Sequence, residues 1–569
     1  FFFFGEMAEF NAAIALLGDL EANSSRVAIE EGCGSGGGSV SWTYGEIRQL
    51  SLVYAEAISS LIEEEPGADL GPRVGFLLDP GAEYVSVLLA CWWRQAVAFP
   101  IGTMHPPMEL VHYLTDSRCC MVVTTSAYAA RVAEAVSLVQ AQGFGAPAVL
   151  VLDAAGLRAS DLRGKAFPAK EPGEGWAPPA TSAALLLYTS GTTSKPKGVL
   201  HTHRSVGAQL SALTRAWGWT AEDVTVLTLP LHHIHGLVNI VLCCLASRAT
   251  LLLPPSKFDP PAILDLLQTR ATVFMAVPTV YHKLLSAIKA LPEDKRISLK
   301  EAMSARLRLM VCGSAALPLP IMREWASYTG QCLLERYGMS EIGMALSNSI
   351  GSWRVPTTVG SLLPDVEVRV ATRDEESGAM RECALDEPGE LFVRGPAVFK
   401  EYLFREEATK EAFDDAGWFK TGDTVVRQKV TAEVLDAAKA CRVSAGLPLD
   451  ETSGLPAPDS EVFRILGRSS VDIIKSGGYK LSALEIESSL LQIPFIQEVA
   501  IVGLPDEEWG EVVAAAMITS RESSLEEVRG EAKKMMAVYK CPKRVLFVTE
   551  LPRNAMGKIQ KHLVTSLFT

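Results

Sequence analysis

At 569 residues the chain is longer than one hydrophobic core usually serves, so at least two domains are expected. Hydrophobic residues make up 48% and charged residues 21%, an ordinary globular balance that excludes a disordered chain. The formal net charge of −13 argues against nucleic acid as a partner, because a phosphate backbone needs clustered Lys and Arg to replace its counterions.

The first residues, Phe1 to Phe4, include no Met, and the stretch is neither Arg-rich nor shaped like a signal peptide, which leaves targeting undecided. Thr43-Tyr-Gly-Glu46 has the spacing of a capping box and predicts a helix whose apolar positions continue through Ile58 and Leu61. Val74 to Leu78, Ala96 to Pro100, Met121 to Thr125 and Ala148 to Leu152 are short apolar runs bounded by turn residues, the pattern of buried parallel strands. Helical patterns separate them, which predicts a layered α/β domain. Phe167 to Ala180 is rich in Pro, Gly and Glu and reads as a surface connection into the next apolar run, Ala183 to Tyr188.

The alternation resumes from Val224, through Val273 to Val277, Leu307 to Cys312 and Leu333 to Tyr337, and predicts a second α/β lobe. After Gly360 short strands with close turns follow, Val366 to Val370 and Glu390 to Val393 among them, which predicts a small β-rich lobe. Residues 427–462 are long for a connection and are read as a surface insertion. A compact piece of ordinary domain size runs from Gly467 to the end.

Eleven cysteines show no framework spacing and no CxxC pair, which points to a reducing compartment and away from zinc. Tyr84 to Trp93 and Val238 to Leu245 are too short to cross a bilayer, so no transmembrane segment is predicted. The expectation is an intracellular protein of the cytoplasm or the mitochondrial matrix, a monomer or homodimer.

The most informative stretch is Tyr188-Thr-Ser-Gly-Thr-Thr-Ser-Lys-Pro-Lys-Gly198, which follows a buried strand directly. Hydroxyls, glycine backbone N–H groups and two cations are what a polyphosphate needs. It is not a Walker A loop, because GxxxxGK[ST] is absent. Further elements follow in order: Leu229-Pro-Leu-His-His-Ile-His-Gly236, Tyr337-Gly-Met-Ser-Glu341, Gly417-Trp-Phe-Lys-Thr-Gly-Asp423, the stretch from Ile465 to Lys480, and Pro552-Arg-Asn-Ala-Met-Gly-Lys558.

With these elements the chain resembles the adenylate-forming superfamily of acyl-CoA synthetases, luciferases and peptide-synthetase adenylation domains. The resemblance implies an α/β fold. A large N-terminal domain, residues 1–466, would hold two layered α/β lobes and a small β-rich lobe; a mobile α+β C-terminal domain, residues 467–569, would rotate between two half-reactions. It implies ATP, Mg²⁺ and coenzyme A beside a small carboxylic acid. Thr189, Ser190, Gly191, Thr192 and Thr193 would cradle the β- and γ-phosphates, with Lys195 and Lys197 adding charge. Glu341 would hold the Mg²⁺ and Ser340 would bond the α-phosphate. Tyr337, beside Gly338, would stack on adenine, and Asp423 would accept both ribose hydroxyls with Arg468 near by. Lys558 would assist adenylation. Lys475, Gly477 and Gly478 would serve the thiol side, where a glycine backbone can approach the pantetheine arm. The hinge would fall at Ser469 to Asp472, and Ser470 stands where many members carry Asp or Lys.

Around the acyl pocket the words His232-His-Ile-His-Gly-Leu-Val-Asn239, Pro278-Thr-Val-Tyr-His-Lys283, Gly313-Ser-Ala-Ala-Leu317 and Glu335-Arg-Tyr-Gly-Met339 are most similar to malonyl-CoA synthetases. A dicarboxylate brings a second charge that needs a partner when buried. Lys283, Arg336 and Ser314 are the candidates, with Met339, His233 and His235 lining the pocket and His233 also counted among the catalytic groups. The alternative for Arg336 is an ion pair with Glu335, and for Glu341 a charge at a helix N-terminus. Rival readings are a medium-chain or aryl acyl-CoA synthetase and, from another class, a catalytically weak adenylate-binding scaffold.

Overall fold

The computed structural model describes residues 11, 16, 24–33, 38–62, 70–163, 177–189, 196–255, 258–348, 350, 354–374, 378–445, 460–468, 471–476, 479–506, 509–554 and 558–568. Thr43 caps the helix Tyr44–Ser59 as its spacing predicts, with both reciprocal bonds of the box to Glu46 formed. Apolar runs that lack alternation become strands covered on both faces: every residue of Val97–Pro100, Met121–Thr124 and Ala183–Tyr188 is buried.

Seven strands make the first sheet, in the order Glu401–Tyr402, Gly198–Thr202, Ala183–Tyr188, Val97–Pro100, Arg73–Leu77, Met121–Thr124, Ala148–Val151. The last five run parallel, and Ala183–Tyr188 turns back antiparallel into Gly198–Thr202. The hydroxyl-rich loop is therefore the tip of a hairpin at the end of a parallel strand.

Nine strands make the second sheet: Ser361–Leu362, Gly343–Ser347, Leu334–Met339, Leu309–Cys312, Val273–Ala276, Val224–Val226, Thr250–Leu253, Val27–Glu31, Val40–Thr43. Here again a parallel strand, Leu334–Met339, ends in a tight hairpin with Gly343–Ser347, and Ser340 and Glu341 occupy its turn. One apolar cluster joins the two sheets. It holds Val74 and Leu185 of the first, Ile29, Val273 and Val311 of the second, and Tyr44, Trp92 and Leu210 from the helices Tyr44–Ser59, Ala82–Trp93 and His203–Ala216.

The β-rich lobe is a five-stranded antiparallel sheet ordered Met380–Glu382, Glu367–Arg373, Gly389–Arg394, Phe419–Lys429, Glu461–Arg468. Its last two strands pair from Asp423↔Arg468 to Lys429↔Glu461, so both ends of the span 427–462 continue the ladder. The extra chain between them opens with the helix Ala432–Ala445, which packs Val434 and Ala438 near Val355 and lies against the helix Leu319–Thr329. The following strand, Ile473–Ser476, belongs to a separate sheet with Tyr479–Ser482, Gly510–Thr519, Ile496–Asp506 and Arg544–Phe547. That sheet has its own core, including Ile474, Ile486, Ile501 and Met517. Among the described residues no helix is long and apolar enough to cross a membrane.

Candidate active site

Two hairpin turns and one strand end meet to form the site. At the first hairpin, Thr189 N–H donates to the Lys197 carbonyl at 3.0 Å, and Lys197 N–H donates to Thr189 Oγ1 at 3.2 Å. These bonds clasp the base of the loop, and His112 Nε2 holds it from outside by donating to the Pro196 carbonyl at 3.0 Å. Ser190, Gly191, Thr192, Thr193 and Lys195 lie outside the described residues.

At the second hairpin, Glu341 is 9% exposed and takes a hydrogen bond on Oε1 from the Tyr402 hydroxyl at 2.8 Å. Burial raises its pKa, while the Tyr402 bond, Arg468 and Lys197 act in the other direction. Glu341 caps no helix; it sits in the turn between two strands, so the helix-terminus alternative does not apply. Lys197 Nζ stands 4.9 Å from the centre of the Tyr402 ring, so one tyrosine touches both the loop's cation and the carboxylate. Ser340 is fixed through its backbone: His201 Nε2 donates to its carbonyl at 2.7 Å. A carbonyl can only accept, so Nε2 carries the proton and Nδ1 accepts from the Ser205 hydroxyl at 3.1 Å. Burial holds His201 neutral, its pKa lowered to about 4.

Gly338 allows the turn to close. A Cβ there would stand 2.0 Å from the Gly343 carbonyl oxygen, closer than any side chain tolerates. Tyr337, in the same strand, donates its hydroxyl to Asp423 Oδ2 at 2.6 Å, and Arg468 Nε lies 3.5 Å from Asp423 Oδ1. Tyr337, Asp423 and Arg468 therefore form one cluster. Lys558 joins it from the C-terminal part. The residue as a whole is exposed; desolvation of its charged end and Arg468 pull its pKa downward, and Asp472 and Asp423 oppose that.

Glu341 is the one residue predicted to hold a metal. Among the described residues no three His, Cys, Asp or Glu side chains gather to hold an ion. A hard cation here would take one carboxylate and complete its shell with phosphate oxygens and water, an arrangement Mg²⁺ accepts.

Beyond the turn lies a buried polar chain. Arg336, 4% exposed, donates from Nη2 to Ser314 Oγ at 3.0 Å, and Ser314 Oγ lies 3.2 Å from His235 Nδ1. Ser314 Oγ accepts from Arg336 and shares a hydrogen bond with His235 Nδ1 whose direction is set by the ring's tautomer. His235 Nε2 and Arg336 Nε are buried and have no partner among the described residues. Asn239, four residues beyond His235, is equally unpartnered at Nδ2 and Oδ1. His235 and Asn239 sit on the π-helical segment His235–Leu242, a rare form that recurs at functional sites. Arg336 makes no ion pair among the described residues, and burial lowers its pKa to about 10. Its neighbour Glu335 is buried too, but successive residues of a strand face opposite ways; burial raises its pKa to about 8 and Oε1 has no partner. The Glu335–Arg336 ion pair is not formed. Gly313 makes room for the guanidinium, since a Cβ there would lie 2.5 Å from Arg336 Cζ. Ser314 adopts φ +67°, a left-handed conformation that costs about 1 kcal/mol or more in a non-glycine residue.

The other predicted residues divide. His233 packs its ring against His232 at 4.1 Å between centres, His232 stands 5.5 Å from His105, and burial lowers the pKa of His233 well below its usual value. Met339 packs in the apolar cluster of the β-rich lobe with Ile342 and Phe399. Lys283 does not join Arg336 and Ser314. The helix Pro278–Lys289 turns Tyr281, Leu284, Leu285 and Ile288 inward, so Lys283 is exposed, with Nζ 5.4 Å from the centre of the Phe258 ring. Lys475 is exposed on the C-terminal sheet, its N–H donating to Glu511 Oε2 at 2.6 Å. Gly477 and Gly478, with Ser469 and Ser470, lie outside the described residues.

Sequence reasoning passed over Tyr402, His201 and His112. Each reaches the site across a long stretch of chain, so no local spacing reveals it; a His in the buried run after Lys197 was the one usable signal.

Comparison with known proteins places this geometry. The AMP-binding enzyme family matches residues 19–403, and the AMP-binding enzyme C-terminal domain matches residues 485–558. The mouse (Mus musculus) protein named malonate–CoA ligase ACSF3, mitochondrial, is 39% identical over 542 residues, covering 91% of this chain and 85% of its own. Among solved structures, ATP-bound MatB from Rhodopseudomonas palustris superposes with a TM-score of 0.78 at 31% identity, over 99% of each chain. A malonyl-CoA ligase in a ternary product complex with methylmalonyl-CoA and AMP superposes less well, at 0.58, with 30% identity over 93% of this chain and 97% of its own. The chain belongs to the AMP-binding enzyme family.

Proposed function

We propose that this protein is an AMP-forming acid–thiol ligase that activates malonate with ATP and passes the malonyl group to coenzyme A, giving malonyl-CoA, AMP and pyrophosphate. The observation that carries the choice of acid is Arg336. A buried guanidinium bonded among the described residues only to a serine, beside a neutral histidine whose Nε2 has no partner among them, is a site that an anion would complete. Malonate has one carboxylate to react and a second, one carbon away, to fill that role.

In the first half-reaction a malonate oxygen attacks the α-phosphorus and pyrophosphate leaves. The chain's part is to bring two anions together and spread the charge that develops. Lys197 and the loop clasped at Thr189 would hold the outer phosphates, Tyr337 and Asp423 the nucleoside, and Lys558 the oxygens around the reacting centre. A Mg²⁺ ion at Glu341, when bound, would neutralise phosphate charge. In the second half-reaction the thiol displaces AMP, and the better superposition on an ATP-bound relative than on a product complex fits an arrangement poised for the first. The mouse relative's name calls that protein mitochondrial, which favours the mitochondrion as the site of action.

Pyrophosphate release measured with acetate, malonate, methylmalonate, succinate and octanoate tests the reading. Malonate should lead, with methylmalonate next. A clear preference for octanoate contradicts it.

A further inference from the structure

The C-terminal part carries a set of charges that the reaction as proposed does not use. Lys561 Nζ lies 2.6 Å from Asp472 Oδ1 and 2.9 Å from Glu487 Oε1, and the three side chains are only 10%, 16% and 15% exposed. Both carboxylates are tied down elsewhere. Asp472 Oδ2 accepts from Arg468 N–H at 3.1 Å, and Glu487 Oε1 accepts from Ile501 N–H at 2.8 Å. The cluster joins three separate segments: the start of the C-terminal part at Asp472, the helix Ala483–Leu490 and the tail helix Lys561–Ser566.

Lys561 stands three residues after Lys558. The chain between them is held at its base, where Gln560 N–H donates to the Pro552 carbonyl at 2.9 Å, Lys558 N–H donates to Asn554 Oδ1 at 3.0 Å, and Arg553 bonds Glu498 at 2.6 Å. Asp472 also acts electrostatically on Lys558, and Asp423 acts on it from the nucleotide side. One carboxylate thus faces two lysines, and two carboxylates compete for the accessible one. Two acids and one Lys leave the cluster one negative charge in excess, so a missing Lys561 would expose two crowded carboxylates with Lys558 as the nearest replacement.

We propose that Lys561 is a positioning residue for adenylation: by satisfying Asp472 and Glu487 it keeps Lys558 from being drawn into their cluster and leaves its ammonium turned toward Asp423 and the nucleotide. The inference rests on the reading of Lys558 given above. Misplacing a reacting group by about 1 Å can cost on the order of 100-fold. The two half-reactions therefore separate a positioning role from a purely structural one.

The test measures adenylate formation by pyrophosphate release, and thioester formation from supplied malonyl-adenylate and coenzyme A, on the full chain. Lys561→Met should lose roughly 10- to 100-fold in the first and stay within about threefold in the second. Lys561→Arg should stay close to wild type in both. Removing the competing anion in the double variant Lys561→Met/Asp472→Asn should recover most of the lost adenylation. Equal loss in both half-reactions, undiminished adenylation, or no recovery in the double variant overturns the proposal. Lys558→Ala, run alongside, distinguishes the two readings: if it keeps adenylation, the role of Lys558 falls and this inference with it, whereas its loss beside an intact Lys561→Met overturns the inference alone.

Discussion

The nucleotide side and the acyl side of this site treat charge in opposite ways. On the nucleotide side nearly every charged group already has a protein partner: Glu341 has Tyr402, Asp423 has Tyr337 and Arg468, and Lys197 lies over a tyrosine ring. On the proposed acyl side, among the described residues, a buried arginine has only a serine, and a buried histidine nitrogen has no partner. A side that meets the same nucleotide in every turnover can be organised in advance. On the proposed reading the other is completed by its substrate, and a group left uncompensated in a dry pocket is where selectivity would reside.

The comparison can be broken on either side. The largest effect is expected from Lys558→Ala, which should lower adenylate formation by roughly 100- to 1,000-fold, the usual cost of one charge-stabilising donor, while supplied malonyl-adenylate is still converted to thioester. Arg336→Met comes next. Breaking a buried charge pair costs about 3 kcal/mol or more, so kcat/KM for malonate should fall on the order of 100-fold, with turnover of acetate unchanged. If both acids fall together, Arg336 supports the fold and does not select the substrate.

Acidity sharpens the contrast further. His201, under Ser340, has its pKa lowered to about 4 in the folded state from a usual 6.5. A base whose pKa is depressed on folding contributes stability that is present above pH 6.5 and is lost as pH falls through 4. Glu335, on the acyl side, is raised to about 8 from 4.5, so its contribution is present below pH 4.5 and is lost as pH rises through 8. In urea unfolding, Glu335→Gln should therefore gain stability relative to wild type as pH rises from 5 to 8, and His201→Gln as pH falls from 7 to 4. The smallest effect is expected from Lys283→Ala. It should leave the preference for malonate over acetate within about twofold, because an exposed cation is worth little at a distance through water.

Much of this was legible in the chain. Fully apolar runs such as Ala183–Tyr188 gave strands with the expected bounds, since a segment covered on both faces has no alternation to misread. The motif residues Tyr337, Glu341, Asp423 and Arg468 converge because the hairpin that carries Tyr337 and Glu341 meets the paired strands that carry Asp423 and Arg468. Lys283 failed for a reason the sequence also held: Tyr281, Leu284, Leu285 and Ile288 mark the inward face of its helix, and position 283 is not on it. Tyr402 and His201 were not legible, because their partners lie 61 and 139 residues away and only the folded sheets bring them together. The span 427–462 is read as an insertion because its Gly, Pro and Ser residues outweigh the strand pairing at its two ends.

The central claim is that Arg336 holds the distal carboxylate of malonate. Kinetics of pyrophosphate release with malonate and with its monomethyl ester test it most directly, since the ester keeps the reacting carboxylate and removes only the second charge. The wild-type protein should favour malonate by about 100-fold, and Arg336→Met should abolish that preference. Equal use of acid and ester by the wild type, or a preference that survives in Arg336→Met, would contradict the account.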